Sequence, residues 1–559
     1  MRNIVMQHQT QPLRSYLPGM HEENADIVIG QAQPAAAALR QFLRAASSSC
    51  LGWRLLVPPC GVDVFVAILL MLLSCGALCA GAATHYVDGL NAGGATTPFT
   101  NWATAAVSIQ DAVDVASDGA LILVNTGVYA SGAQVTPGFA LPNRVLVTNA
   151  VMIVSVGGPA VTAIVGARDP SSVLGLGSNA VRGVYLTGGA TLAGFTVSNG
   201  ATFAMGTNTG HSLFERSGGG IYLDDASVSN CIVVQNACAN YGGGVYGSSG
   251  AVVCAAQISS NWAANYGGGM YWPIDGSLRD SQLQGNIVSN YDGGGVYAAA
   301  SGFISNCVIS GNLCQKGSAA GVLVFRADLE MVDCVVRGNV CTLGRGGGTY
   351  FNSLTSYRTV INNCRFEDNA IYGVNYGGGA YINMSEVNNC LFARNYAKAY
   401  GGGLTTASAK INNCTIVSNR SDLSGGGVYL TGIQTVLRNA IVYGNSAPVS
   451  NTNYFLGAGS GSITCAFVCT LPVIVGEGNI TNDPQLVDLE GGDYRLVWGS
   501  PCINAGSNAY AFGNYDLDGT ARIKQNVVDM GAYETVPEPV VIGMVLLFAI
   551  CNLQFTIKR

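Results

Sequence analysis

Charge is scarce in this sequence: Asp, Glu, Lys and Arg make up 10% of its 559 residues, against roughly 25% in ordinary globular chains. The formal net charge of -6 is spread thinly, which leaves no basic footprint for nucleic acid and no acidic tail. Histidine is nearly missing. Its four copies, His8, His21, His85 and His211, are scattered, so an imidazole-built metal site is disfavoured. The long 3.6-residue periodicity of a helical repeat protein is lacking as well.

Glycine, in contrast, fills 75 positions, and many of them belong to one phrase. Triplets begin at Gly218, Gly242, Gly267, Gly293, Gly346, Gly377, Gly401 and Gly425, and a worn copy, Ala319-Ala320-Gly321, fills the double-length gap. An apolar residue and usually Tyr follow each triplet, then a polar turn, an Asn-Cys pair and another Asn five residues after the Cys. Most intervals are 24 to 27 residues, with one of 31 before Gly377. A period of this size marks a solenoid, in which each repeat is a coil that buries its apolar face against its neighbours.

The second half of each unit alternates small, variable and large apolar residues, as in Asn306-Cys307-Val308-Ile309 and Asn363-Cys364-Arg365-Phe366. Period two predicts a strand with Cys and Ile or Phe inside and Arg365 or Thr415 outside. Ser281 with Leu283 and Ala256 with Ile258 keep the frame where Cys is replaced. Each frame closes on an Asn, from Asn236 to Asn445. Asn tolerates left-handed backbone and bonds its own turn, and stacked coils would align these residues into a ladder. The expected fold is therefore all-β: a right-handed parallel β-helix solenoid with a short N-terminal capping helix. At about 4.8 Å per rung, nine coils give a rod roughly 43 Å long. The right hand follows from the bias of parallel crossovers and from the resemblance described below. The helix is expected within Ala105 to Ala116, where Ala105, Ile109, Ala112, Val113 and Ala116 fall at helical spacing and would cover the open end.

Both ends carry export signals. Val62 to Ala80 is an apolar run preceded by Arg40, Arg44 and Arg54 and followed by Ala80-Gly81-Ala82, a small-x-small cleavage pattern. Residues 1–83 read as a leader with a signal peptide, of which 1–60 suggest an overlong gene start. A permanent N-terminal anchor and a lipoprotein signal at Cys75 are the weaker alternatives. Thr535-Val536-Pro537-Glu538-Pro539, an apolar stretch from Val540 to Phe555 and basic Lys558-Arg559 resemble the PEP-CTERM sorting signal of exported bacterial proteins, which implies a sorting-machinery partner for 536–559. Between these ends the expected division is 84–200 for the cap and irregular first coils, 201–446 for regular repeats, and 447–535 for C-terminal coils and cap.

Eighteen cysteines in such a chain raise the question of disulfides. Cys307, Cys334, Cys364, Cys390 and Cys414 recur at one position and are read as small buried hydrophobes. The pairs expected to bond are Cys314 with Cys341 and Cys465 with Cys469.

Trp102-Ala103-Thr104-Ala105-Ala106, then Ile109-Gln110-Asp111-Ala112-Val113-Asp114 and Gly127-Val128-Tyr129, resemble the opening of secreted bacterial β-helix proteins of the pectate-lyase-like superfamily. Ser500-Pro501-Cys502-Ile503-Asn504-Ala505-Gly506, Asp516-Leu517-Asp518-Gly519 with Arg522, and Asp529-Met530-Gly531-Ala532-Tyr533-Glu534 resemble the C-terminal region of the "choice-of-anchor" group. The repeats are also similar to those of chlamydial polymorphic outer-membrane proteins, which are adhesins. These resemblances imply fold and an exported, cell-surface or extracellular location, but no particular activity.

The enzymes of that superfamily use calcium-binding acidic clusters with a basic proton acceptor, or Asp pairs near Gly-His-Gly, and neither pattern is present. Asp224, Asp225 and Arg345 are the catalytic candidates, and a solvated turn is the stronger reading of the Asp pair. No cofactor is required, although Asp516 and Asp518 carry the spacing of a calcium-loop fragment; a turn paired with Arg522 accounts for the same residues. Tyr222, Tyr246, Tyr271, Tyr297, Tyr350, Tyr381 and Tyr429 form a column two residues after the triplets, interrupted at Leu323 and Thr405. It is either a packing ladder of stacked rings or an aromatic track for an extracellular polysaccharide or cell-surface glycan. The preferred function is a non-catalytic adhesin or polysaccharide-matrix component, and the alternative is a secreted polysaccharide lyase or glycoside hydrolase.

Overall fold

Glycine triplets, period-two strands and closing asparagines wind into a parallel β-helix, with parallel ladders running along it and about one coil per repeat. The computed structural model describes residues 82–535 apart from 92, 205–211, 354–357, 449–451 and 458–462. These residues belong to one unit that begins at Gly81. Residues 1–81 of the leader and the 536–559 segment lie outside the described residues.

A regular coil has four short strands. The first follows the triplet, as at Ile221–Asp224, and pairs with its counterparts in a triplet ladder. The second, such as Ser227–Ser229, forms a valine ladder, and the third, such as Ile232–Val234, follows the Cys position in a cysteine ladder. The fourth has two residues, such as Ala237–Cys238, and stacks in a short ladder of eight strands. Val228, Val233, Ile221 and Leu223 are fully buried in one continuous core that runs the length of the solenoid. Cys231, Ala256, Ser281, Cys307, Cys334, Cys364, Cys390 and Cys414 are all buried at the same place in successive coils. Only small side chains fit there.

The closing asparagines do form a ladder. Asn261 Nδ2 donates to Asn286 Oδ1 at 3.0 Å, and that oxygen also accepts the backbone N–H of Asn261 at 3.0 Å. The pattern continues through Asn312, Asn339, Asn369, Asn395, Asn419 and Asn445 to Asn453. The expected left-handed backbone, however, is not at these residues. It falls on the residue before each, as at Gln235, Ser260, Asp368, Arg394 and Ser418, and on the Asn that precedes the Cys, as at Asn230, Asn306, Asn363 and Asn413. The closing Asn turns its amide inward, and its neighbour bends the chain.

This ladder also explains the triplets. A Cβ on the third glycine would stand 2.8 Å from Asn236 Nδ2 at Gly220 and 2.9 Å from Asn261 Nδ2 at Gly244. On the second it would meet main chain, such as the Trp262 carbonyl 2.4 Å from Gly243. The first sits at positive φ, 65° at Gly218.

At the N-terminal end the helix α1 is Ile109–Val115, capped by Ser108 Oγ, which accepts the Asp111 N–H at 3.1 Å. It is shorter than expected. Ala105 and Ala106 precede it as extended chain, because Ala106 bridges to Val87. At the other end, Thr464–Thr470 is the last rung of the cysteine ladder. The following residues do not stack as further coils. An antiparallel pair, Leu486–Asp488 with Asp493–Leu496, and the loops to Thr535 lie on the outer face of the cysteine ladder. There Leu496, Met530 and Tyr533 cover Leu391, Val417 and Ile441. Thr415, expected to face outward into solvent, is therefore buried, and its Oγ1 accepts the Ala532 N–H at 2.9 Å. No helix among the described residues is long and apolar enough to cross a membrane.

Candidate functional site

Tyr222 lies between two core residues, Ile221 and Leu223, so it projects from the outer face of the triplet ladder. Tyr185, Tyr222, Tyr246, Tyr271 and Tyr297 follow one another in register, and Tyr350, Tyr381 and Tyr429 continue beyond Leu323 and around Thr405. Rings stack at 4.6 Å between Tyr222 and Tyr246 and at 5.2 Å between Tyr271 and Tyr297. A second file, Tyr241 and Tyr266, then Tyr376 and Tyr400, closes over the first, with Tyr241 stacked on Tyr271 at 4.6 Å. Its signal in the sequence is a Tyr directly before the triplet. The result is that Tyr271 is only 9% exposed. Burial pushes the hydroxyls of Tyr222, Tyr271 and Tyr297 above their ordinary range. From Tyr222 to Tyr297, ring faces that could stack on a sugar are occupied by other rings, whereas Tyr350 meets Tyr381 edge to face.

The catalytic candidates are not brought together. Asp224 ends a strand, whereas Asp225 forms the corner after it at φ 50°, with its carbonyl accepting the Gly189 N–H at 2.7 Å. Arg345 stands five repeats away along the chain, about 24 Å at one rung per repeat. Its guanidinium lies over Tyr381, 5.3 Å from the ring centroid.

The two carboxylates of the calcium-loop fragment point apart. Asp516 turns inward, where its carboxylate accepts the backbone N–H groups of Asp518, Thr520 and Glu534. Asp518 turns outward to an ion pair with Arg365 at 3.3 Å. The expected pairing with Arg522 also shifts, because Arg522 bonds Glu534 at 3.2 Å. Among the described residues no group of three or more His, Cys, Asp or Glu is placed to hold a metal.

The two expected cysteine pairs stand differently. Cys314 and Cys341 are buried free thiols opposite each other in register. Cys465 and Cys469 share one strand but point to different sides, Cys465 into the main core and Cys469 into the cluster beneath the C-terminal segment. They cannot bond to each other.

A groove that the sequence did not reveal lies on the outer face of the short ladder, with a volume of about 680 Å³. Its floor crosses successive coils, with Trp262, Asn265, Asn290 and Gln315 rising along it. Trp262 follows ladder residue Asn261 and occupies the outward place that Ile287 and Leu313 take in later coils. Its Nε1 donates to Ser289 Oγ at 3.0 Å, which fixes the indole. Side-chain amides repeat beside it: Asn265 Nδ2 donates to Asn240 Oδ1 at 2.8 Å, and Asn290 Nδ2 to Asn265 Oδ1 at 3.4 Å. The wall is the loop carrying Leu174 and Leu176. Asp169 holds that loop in shape, accepting the Ser171 hydroxyl at 2.6 Å and the Asn179 N–H at 3.1 Å, and these bonds keep its carboxyl low, at about 2. No ionised side chain lines the groove, and Lys316, whose Nζ reaches Asn290 Oδ1 at 3.3 Å, stands beside it.

No family model and no curated protein matches the sequence. Among solved structures the chain is similar to pectate lyase Pel9A, at 13% identity over 82% of this chain and 98% of that one, with a TM-score of 0.34. It is also similar to XylC in complex with xylose, at 9% identity, 81% and 98% coverage and a TM-score of 0.40. A third similarity is to the catalytic domain of a GH87 alpha-1,3-glucanase in complex with tetrasaccharides, at 12% identity, 63% and 67% coverage and a TM-score of 0.33. Likeness at this level carries no argument about what the chain binds or does.

Proposed function

We propose that this protein is an exported, non-catalytic β-helix that binds a neutral polysaccharide at the cell surface or in the extracellular matrix. The observation that carries the proposal is the groove over the short ladder. An indole edged by apolar side chains suits the C–H face of a pyranose ring, and amides repeating once per rung, about 4.8 Å apart, suit the hydroxyls of successive sugars. The uncharged lining favours neutral sugars over uronic acids. Export is inferred from the apolar run at 62–80 and the terminal segment 536–559.

The non-catalytic part rests on chemistry. Hydrolysis needs two carboxyl groups about 5 to 9.5 Å apart across the bond, and lyase action needs a base at the proton to be removed. The groove supplies neither. A glycan array and a depolymerisation screen on the purified protein test both parts. Binding to a neutral glycan that falls at least tenfold in Trp262→Ala, without chain cleavage, is the expected result. Cleavage of any polysaccharide that is abolished by replacing Asp224, Asp225 or Arg345 would overturn the non-catalytic reading. Binding unchanged in Trp262→Ala would remove the groove from it.

A further inference from the structure

We propose that the glycan is an extended chain of equatorially linked sugars, as in a β-1,4-glucan or β-1,4-xylan, lying along the solenoid from Trp262 to Tyr372. The inference rests on the groove reading above and adds a direction, a length and a linkage class to it. The short ladder alternates in and out. Val288, Cys314, Cys341 and Ile371 point into one buried cluster, so the residues on either side of each face outward. They make two strips in register, Ile287, Leu313 and Val340 on one, and Ser289, Gln315 and Thr342 on the other. One strip is apolar, and the other carries a hydroxyl or an amide in every coil.

An aromatic ring stands at each end. Trp262 begins the apolar strip, and its Nε1 bond to Ser289 Oγ at 3.0 Å draws the indole across to the polar strip of the next coil. Tyr372 belongs to the polar strip and is 58% exposed, with its ring 5.6 Å from that of Tyr396 in the following coil. Ladder steps from Trp262 through Ile287, Leu313 and Val340 to Ala370 separate the two coils, roughly 19 Å at the rung spacing. All the outward residues between them are uncharged. Beyond Tyr372 the strips turn charged, with Asp422 paired to Lys398 at 3.4 Å and to Arg420 at 3.2 Å. Leu174 and Leu176 wall the Trp262 end. The uncharged surface therefore has a finite length.

A straight surface fits a straight ligand. Equatorial linkages at both ends of each pyranose keep the chain an extended ribbon, with C–H groups on its ring faces and hydroxyls along its edges, whereas axial linkages curl the chain away from a line. Such a ribbon stacks on Trp262 and Tyr372, rests its middle on the apolar strip and bonds its edge to Ser289, Gln315 and Thr342. With one sugar for each rung, about five rings reach from one aromatic platform to the other.

The test is calorimetric titration of the purified protein with cello-oligosaccharides and xylo-oligosaccharides from dimer to heptamer, with maltohexaose as the α-linked control. The expected result is that at least one β-linked series binds, gaining roughly tenfold from trimer to hexamer and nothing further at the heptamer, while maltohexaose binds far more weakly. Tyr372→Ala should lose that gain with the hexamer and leave the trimer unchanged, whereas Trp262→Ala should weaken both. Because Tyr372 is exposed, its variant should melt like the parent, which separates lost contact from lost fold. Equal affinity for trimer and hexamer, an unchanged hexamer affinity in Tyr372→Ala, maltohexaose binding as tight as that of the β-linked hexamer, or no binding by either β-linked series overturns the proposal. If a glycan array then finds another neutral glycan whose binding needs Trp262, the proposed function stands without this inference. If it finds none, both fall.

Discussion

The side-chain amide of Asn286 donates to Asn312 Oδ1 at 3.0 Å while the Asn286 backbone N–H donates to that same oxygen at 2.9 Å. One buried oxygen thus joins two coils through both side chain and main chain. Asn312→Leu, similar in volume, should leave the Asn286 backbone N–H without a partner and its amide with the Ile258 carbonyl alone, at about 1–3 kcal/mol for each buried group left unpaired. Thermal unfolding should show a large loss of stability. Asn453→Ala, at the end of the ladder, should lower the melting temperature less.

Gly295 and Gly311 separate space from conformation. A Cβ on Gly295 would lie 2.7 Å from the Gly321 carbonyl oxygen and 3.0 Å from Asn312 Nδ2, while one on Gly311, at φ 60°, meets nothing within 4 Å. Gly311→Ala should therefore cost only the left-handed strain of about 1–2 kcal/mol. Gly295→Ala should push two coils apart and cost more, as read by denaturant unfolding of the two variants side by side.

Phe366 is fully buried and stacks on Phe392 with ring centroids 4.7 Å apart. Phe366→Asp should break the coil, because the carboxylate would have no partner in the core. Arg365→Ala, one residue away, removes an ion pair whose partners are about one-third exposed and a guanidinium 5.9 Å from the Tyr533 ring centroid, and should change stability by about 1 kcal/mol or less. If the Phe366 variant melts like the parent, the division of this strand into inside and outside is wrong.

Stability of the C-terminal segment should fall with rising pH. Burial, and then the nearby Asp529, push the Glu534 carboxyl from its ordinary 4.5 up to about 8 despite Arg522 beside it. Burial raises Asp529 in the same direction. The folded state thus holds protons that the unfolded state releases, so the contribution is full below about pH 4.5 and lost as pH climbs through about 8. Hydrogen exchange across residues 486–535 should accelerate between pH 5.5 and 8.5 by more than the intrinsic base-catalysed rate, and Glu534→Gln should flatten that excess. No change in the excess would remove Glu534 as its source.

What could be read from the chain was local or periodic. Cys364 and Phe366 repeat with period two, so their inward direction was legible, as was the stacking of Asn236 through Asn445. The one-residue error in the left-handed position came from treating Asn as a bending residue, when its amide is needed inside and Ser260 or Arg394 can bend instead. Long-range covering was not legible. Thr415 alternates like an exposed residue until a segment more than a hundred residues later lies over it. The groove was hidden for the same reason, since Trp262 faces Leu174 and Leu176 only because the loop beyond Asp169 is folded against later coils.

The ladder of amides closes on main chain at both ends: Asn236 Oδ1 accepts the Gly200 N–H at 2.8 Å, and Asn453 Nδ2 donates to the Leu471 carbonyl at 2.8 Å. Its interior members are interchangeable, whereas its terminal ones are not. Such a chain can change length by duplicating or losing an entire repeat, since the amides on either side of the splice would still meet. A fractional insertion would put one asparagine out of phase and strand its neighbours. Growth in this molecule is quantised in whole turns, with the two terminal pairings acting as fixed bookends.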